Sequence, residues 1–171
     1  MELSWSEPEF ITVTCLEWKP LLEMERHREI VTQSMRFLSN AGRMRISAFV
    51  LMNNHFHLIW QMIGEHRRVD VQRDFLKYTS QMILRNLLAT GSPLISDLRV
   101  NSRDRKFQVW ERNSLSILLT KEKFLFQKLN YIHHNPVRAG LCENPEDYKY
   151  SSAAFYMLNK YEWEFIQHYK G

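Results

Sequence analysis

Two periods of apolar and polar residues alternate along this chain, and each switch from one to the other marks an element. Phe10-Ile11-Thr12-Val13-Thr14-Cys15 is a β-branched run after Pro8 and reads as a first strand closed by Pro20. From about Glu23 to Leu38 the residues Met24, Ile30, Val31, Met35, Phe37 and Leu38 recur at helical spacing among charges. Asn40 and Gly42 supply the stop of this long first helix. Two apolar runs, residues 44–52 and 55–62, flank Asn53-Asn54; asparagine tolerates positive φ, so the pair can close a tight hairpin. A second helix is predicted from about Val69 to Leu88, ended by Gly91 and Pro93, and Gly91 to Lys106 is the longest loop. Phe107-Gln108-Val109-Trp110 restores a strand pattern. A third helix runs from about Lys121 to His134, with Pro136 limiting it, and the tail from Asn144 is aromatic-rich with weaker periodicity. The only adjacent strands form a hairpin, which predicts an α+β fold: a ferredoxin-like or RRM-like antiparallel sheet with helices packed on it, as one domain over residues 1–171.

Composition narrows the partners. The chain is 44% hydrophobic and 25% charged, enough apolar surface for a packed core, and its net charge of +4 suits a polyanion without requiring one. Aromatic residues make up 13%, which can fill cores or stack on bases, core filling being the commoner use. Cys15 and Cys142 lie far apart in no C-x-x-C spacing, so neither a thiolate zinc site nor a disulfide framework is indicated, and a reducing cytoplasm is expected. No apolar run approaches the roughly 18 residues of a membrane span, and the start lacks a signal-peptide pattern. No Gly-rich phosphate loop is visible.

Successive side chains on a strand point to opposite faces, so His55 and His57 share one face while Phe56, Leu58 and Trp60 share the other. If Asn53-Asn54 is a two-residue turn, Met52 lies across from His55, Val50 from His57 and Ala48 from Ile59. Two imidazoles at this spacing can converge on one cation, although a metal needs further ligands; they can equally be histidines satisfied beside a core. On the third helix Leu125, Leu129 and Ile132 form the core stripe, and Tyr131 projects roughly 120° from its middle. Asn135 falls on the side of Tyr131, with His134 at the neighbouring spacing. Spacing alone also allows a surface tyrosine near a helix end.

Asn54-His55-Phe56-His57-Leu58-Ile59 and the run Tyr131-Ile132-His133-His134-Asn135-Pro136-Val137-Arg138-Ala139-Gly140-Leu141, followed by Pro145-Glu146-Asp147-Tyr148 and Ser151-Ser152, resemble the bacterial REP-associated tyrosine transposases. The order and spacing match over roughly residues 9 to 156, and the second run is the specific one. The resemblance implies an HUH-type transposase that cleaves and rejoins single-stranded or hairpin DNA. Tyr131 would be the nucleophile, and His55, His57 and Asn135 would hold Mg²⁺ or Mn²⁺, in a monomer or homodimer. Two departures stand out: the family commonly has proline where this chain has Asn53, and Ser114 to Leu119 is apolar where many members are polar.

The expected chemistry is attack on a phosphodiester by a phenol, which needs charge stabilisation at the phosphate and leaves a 5′-phosphotyrosine and a free 3′ hydroxyl. Arg67, Arg68, Arg73, Lys77, Arg103, Arg105, Lys106 and Arg138 are the candidate backbone contacts. Two other classes fit the same residues. One is a non-cutting module that stacks bases on Phe56, Trp60 or Trp110. The other is a metal-dependent phosphodiesterase that uses water, with Tyr131 only positioning the phosphate.

Overall fold

The computed structural model describes residues 5–170. Its elements are β1 (Glu9–Thr14), a single 3₁₀ turn (Leu16–Trp18), α1 (Glu25–Asn40), β2 (Met44–Leu51), β3 (His55–Met62), α2 (Arg68–Ala89), the short α3 (Leu94–Asp97), β4 (Leu115–Leu118), α4 (Glu122–Arg138), a 3₁₀ turn (Pro145–Asp147) and α5 (Ala153–Leu158). The strands form one antiparallel sheet in the order β2-β3-β1-β4. This is the ferredoxin-like arrangement expected from the pattern of elements.

Both faces of the sheet are covered. Ile11, Val13, Phe49, Leu51, Phe56, Leu58 and Trp60 face α1 and α2 and pack with Ile30, Val31, Met35, Val71, Phe75 and Ile83. The other face carries Phe10, Ala48, Val50 and Ile59, on which α4 lays Leu125, Leu129 and Ile132. Burying each of those three side chains is worth roughly 1.5–3 kcal/mol, and together they fix which side of α4 turns away.

The hairpin register is the predicted one, with Val50 opposite His57 and Ala48 opposite Ile59, and Met52 N–H donating to His55 O at 2.8 Å. Neither Asn53 nor Asn54 has positive φ, however. The asparagines act through hydrogen bonds instead: Asn53 O accepts from Leu22 N, Asn54 O from Cys15 N, and Asn53 Oδ1 from Arg28. A bulge at Ser47, between Ile46 and Ala48, switches the alternation of β2, so Ile46 faces α1 and α2 while Ala48 faces α4. Every residue of β2 is buried because both faces of the sheet are covered.

Two expectations are corrected. Residues 107–110 are not a strand; Phe107 and Trp110 make only isolated bridges, to Arg99 and Cys15. Their apolar character serves the core, where Trp110 packs edge-on to Phe56 and donates its indole N–H to Thr79 Oγ1 at 3.1 Å. The fourth strand is Leu115–Leu118, an edge whose pairing to β1 rests on backbone bonds while Leu115 and Leu118 stay exposed. The second correction is that Pro136 does not end α4. It sits buried inside the helix, removing one N–H from the ladder, and Gly140 at φ 71° makes the stop, with Leu141 N–H reaching Pro136 O at 2.9 Å.

The aromatic tail closes the open edge of β2. Leu51 N–H donates to Tyr150 O, Ser152 N–H to Phe49 O and Gln167 N–H to Ile46 O, while the Tyr148 and Tyr156 hydroxyls donate to Leu51 O and Ser47 O. Fully buried Ser152 joins three elements: its hydroxyl accepts from Phe49 N–H at 3.0 Å, contacts Phe49 O at 3.3 Å and meets His133 Nε2 of α4 at 2.9 Å. Ser152→Ala strands the Phe49 N–H and the imidazole in a dry interior, so a destabilisation of about 1–3 kcal/mol and a melting temperature lower by several degrees are expected. A thermal melt indistinguishable from the parent's would show that this junction does not hold α4 to the sheet.

Candidate active site

On the face covered by α4, His55 stands opposite Thr14 and His57 opposite Thr12 of β1. The two imidazole centroids are 4.9 Å apart. Asn54 Oδ1 can only accept, so His55 Nδ1 donates to it at 2.7 Å and Nε2 keeps its lone pair. The same tautomer suits His57, whose Nδ1 lies 2.9 Å from Thr12 Oγ1 while its buried Nε2 has no hydrogen-bond partner. His57 also stacks on Phe10 at 5.2 Å and 23°. Burial lowers the pKa of His55, and burial with the charges of His55, Lys128 and Arg138 pushes that of His57 down to about 3. Both rings are therefore neutral at pH 7, the form that ligates metals.

Tyr131 faces this pair. Its ring is 39% exposed, stands edge-on to His57 at 5.2 Å, and meets Phe10 at 6.0 Å. Two cations frame it: Arg138 has its Cζ 4.6 Å from the Tyr131 centroid and its Nη2 donates to Tyr131 O at 3.0 Å, and Lys128 Nζ lies 5.4 Å from that centroid and 4.6 Å from the Phe10 centroid. Asn135 is half-buried one turn further along α4. His134 is exposed and bonded through Nδ1 to Asn130 O at 3.0 Å.

The remaining basic candidates lie elsewhere. Arg67, Arg68, Arg73 and Lys77 belong to α2 or its N-cap, and α2 packs on the opposite face of the sheet. Arg68 is engaged by Glu9 at 3.0 Å and Arg73 by Asp70 and Asp74 at 2.9 and 3.2 Å, while Arg67 is only 3.9 Å from Asp70 and Lys77 is exposed. Arg103, Arg105 and Lys106 sit in the loop before β4, with Arg105 paired to Asp104 at 2.7 Å. Arg138 alone of the eight touches Tyr131. Phe56, Trp60 and Trp110 are buried and present no face to a base. Sequence reasoning missed Lys128, although its three-residue spacing from Tyr131 was legible, and Thr12, which only the strand register reveals.

The donor set fits a divalent cation in part. The orphaned Nε2 of His57 beside a second neutral imidazole is what a cation would complete. Among the described residues no cluster of three or more His, Cys, Asp or Glu side chains has metal-binding geometry, so oxygens from substrate or water would fill the other positions. No helix among the described residues is long and apolar enough to cross a membrane.

No protein-family model matches the chain, and no curated protein does. Among solved structures it is similar to a REP-associated tyrosine transposase bound to a REP hairpin, at 17% identity over 90% of this chain and 80% of that one, with a TM-score of 0.64. A candidate transposase from Deinococcus radiodurans R1 aligns at 11% identity over 72% of this chain and 87% of that one, with a TM-score of 0.49. The α+β fold of the chain is thus the fold of a tyrosine transposase.

The buried imidazoles carry a pH signature. His57 protonates only near pH 3 and His133 near pH 4 in the folded state, against 6.5 for a free imidazole, so below about pH 6.5 the unfolded chain binds protons that the folded chain refuses. The contribution of these two histidines to stability is complete above that value and declines as pH falls toward 4. An NMR titration of the imidazole protons should find His57 still neutral at pH 5; a midpoint near 6.5 would contradict its burial.

Proposed function

We propose that the protein is a DNA strand transferase of the tyrosine transposase kind, which cuts single-stranded or hairpin DNA and joins Tyr131 to the 5′ phosphate. The observation that carries this reading is the meeting of Tyr131 and His57 at 5.2 Å across two elements that are distant in sequence. The accessible ring of Tyr131 thus shares one surface with a buried histidine whose outer nitrogen is unpaired. The likeness in fold to the hairpin-bound transposase supports the same reading.

In this reading His55, His57 and Asn135 would hold Mg²⁺ or Mn²⁺, which would supply charge neutralisation at the scissile phosphate. Thr12 and Asn54 fix the two rings by their Nδ1 atoms, the outer-sphere arrangement common for metal-bound histidine. Lys128 and Arg138 add positive charge beside the Tyr131 ring, where the phosphate must approach. The Tyr131 oxygen forms its bond to phosphorus as the bond to the 3′ oxygen breaks. The phenol gives its proton to water, the 3′ oxygen takes one from water, and the exchanged ester keeps the bond energy for rejoining.

Tyr131→Phe deletes one oxygen from a ring held by contacts to its faces and edges, so folding and DNA binding should persist while the covalent adduct falls below detection. His57→Ala should lower adduct formation on the order of 100-fold or more, and excess chelator should mimic it. DNA labelled 3′ of the cut is followed through a denaturing gel, where the parent should carry label with protein. Cut DNA without adduct, or cutting that survives in Tyr131→Phe, would instead assign the chemistry to water; binding with neither cutting nor adduct would make the chain a binding module.

A further inference from the structure

Glu17 and Trp18, directly after β1, have left-handed backbones with φ 50° and 58°. Two consecutive residues with side chains in this region are costly and persist only where surroundings impose them. Here they are imposed. Glu111 Oε1 accepts from Glu17 N–H at 2.7 Å, Cys15 O from Trp18 N–H at 3.0 Å and Leu16 O from Lys19 N–H at 3.1 Å, and Lys19 pairs with the Glu17 carboxylate at 2.6 Å. What the strain delivers is an indole 59% exposed and edge-on to His55 at 5.7 Å. Tyr131, His57, His55 and Trp18 thus form a row of rings with centroid steps of 5.2, 4.9 and 5.7 Å. Beside Trp18 opens a cleft of about 470 Å³, lined also by Thr14, Gln108, Glu111, Arg112 and Asn113. Thr14 lies opposite His55, so the cleft adjoins the histidines at the end of the row away from Tyr131.

We infer that Trp18 and this cleft are a subsite for an unpaired nucleobase, that of the nucleotide immediately 5′ of the cut, whose 3′ oxygen is the leaving group. This rests on the reading of Tyr131 as nucleophile. In a phosphoryl transfer the attacking and leaving oxygens stand on opposite sides of phosphorus. With Tyr131 at one end of the row and the phosphate over the histidines, the leaving oxygen points toward Trp18. Aromatic stacking grips any base, while the amides of Gln108 and Asn113 and the Arg112 guanidinium can bond base edges or sugar. After cleavage the covalent bond retains only the 3′ fragment. Trp18 would hold the other fragment, keeping its 3′ hydroxyl in place to re-form its bond to phosphorus as the tyrosine ester breaks.

The test starts from a pool of hairpin oligonucleotides with randomised single-stranded flanks, from which the parent's covalent adducts are trapped and sequenced to give the cut position. That DNA is remade with 2-aminopurine at the base just 5′ or just 3′ of the cut and bound, uncut and without added metal, to Tyr131→Phe. The 5′ probe should be quenched more strongly than the 3′ probe. Adding Trp18→Gly should remove that quenching and weaken binding of the free 5′ fragment roughly five- to a hundredfold. Adding Trp18→Phe should retain part of both. Glycine relieves the left-handed backbone at this position, so the Trp18→Gly protein should melt at or above the parent temperature. Quenching unchanged by Trp18→Gly, or strongest for the 3′ probe, overturns the subsite while leaving the nucleophile intact. A pool that yields no adduct overturns the reading of Tyr131 and the subsite with it.

Discussion

The packing of α4 on the second face of the sheet is the constraint from which the rest follows. Leu125, Leu129 and Ile132 bury themselves against Phe10, Ala48, Val50 and Ile59, and a helix whose apolar stripe is fixed has no freedom left in the direction of its other residues. Tyr131 is thereby held at the border of that contact, partly exposed and edge-on to His57. The bulge at Ser47 matters for the same reason: without it Ala48 and Val50 would point to the α1 and α2 side, and α4 would lose part of its apolar seat. Ser152 and His133 pin the helix at a second point through a buried hydrogen bond.

Burial gives the site its electrostatics as well. A desolvated imidazole resists protonation, and neighbouring Lys128 and Arg138 reinforce that resistance at His57, so the positive charge of the site resides on side chains framing Tyr131 while the histidines remain neutral donors. Thr12 and Asn54 hold the inner nitrogens, which leaves the outer ones for a ligand.

Much of this was legible in the sequence because it depends on local geometry. The two-residue turn at Asn53-Asn54 sets the hairpin register, and the stripe of α4 sets the direction of Tyr131, whatever the rest of the chain does. What was not legible depends on tertiary context. Residues 107–110 have strand-like composition because Val109 and Trp110 fill the core, whereas the true edge strand is held by backbone pairing to β1 with only Ile117 packed on the core and Leu115 and Leu118 exposed. Pro136 misleads because a proline near a helix end is tolerated when the tertiary seat outweighs one missing hydrogen bond. The arginines of α2 lie on the face of the sheet opposite Tyr131, which their spacing in the sequence does not reveal, and Arg68 and Arg73 pair with carboxylates from Glu9, Asp70 and Asp74. Trp18 carried no signal at all, since its exposure arises from a backbone conformation that composition does not announce.

The central claim is that the Tyr131 oxygen takes the DNA 5′ phosphate, and the most direct measurement is the site of the covalent bond itself. Trypsin releases Leu129–Arg138 as a peptide in which Tyr131 is the sole tyrosine. After cleavage of DNA by the parent protein, followed by nuclease and trypsin digestion, mass spectrometry should find a nucleotide phosphate on that peptide, with fragment ions placing it on Tyr131. The same mass on a peptide carrying Tyr148 or Tyr150, or cut DNA with every tyrosine unmodified, would contradict the account.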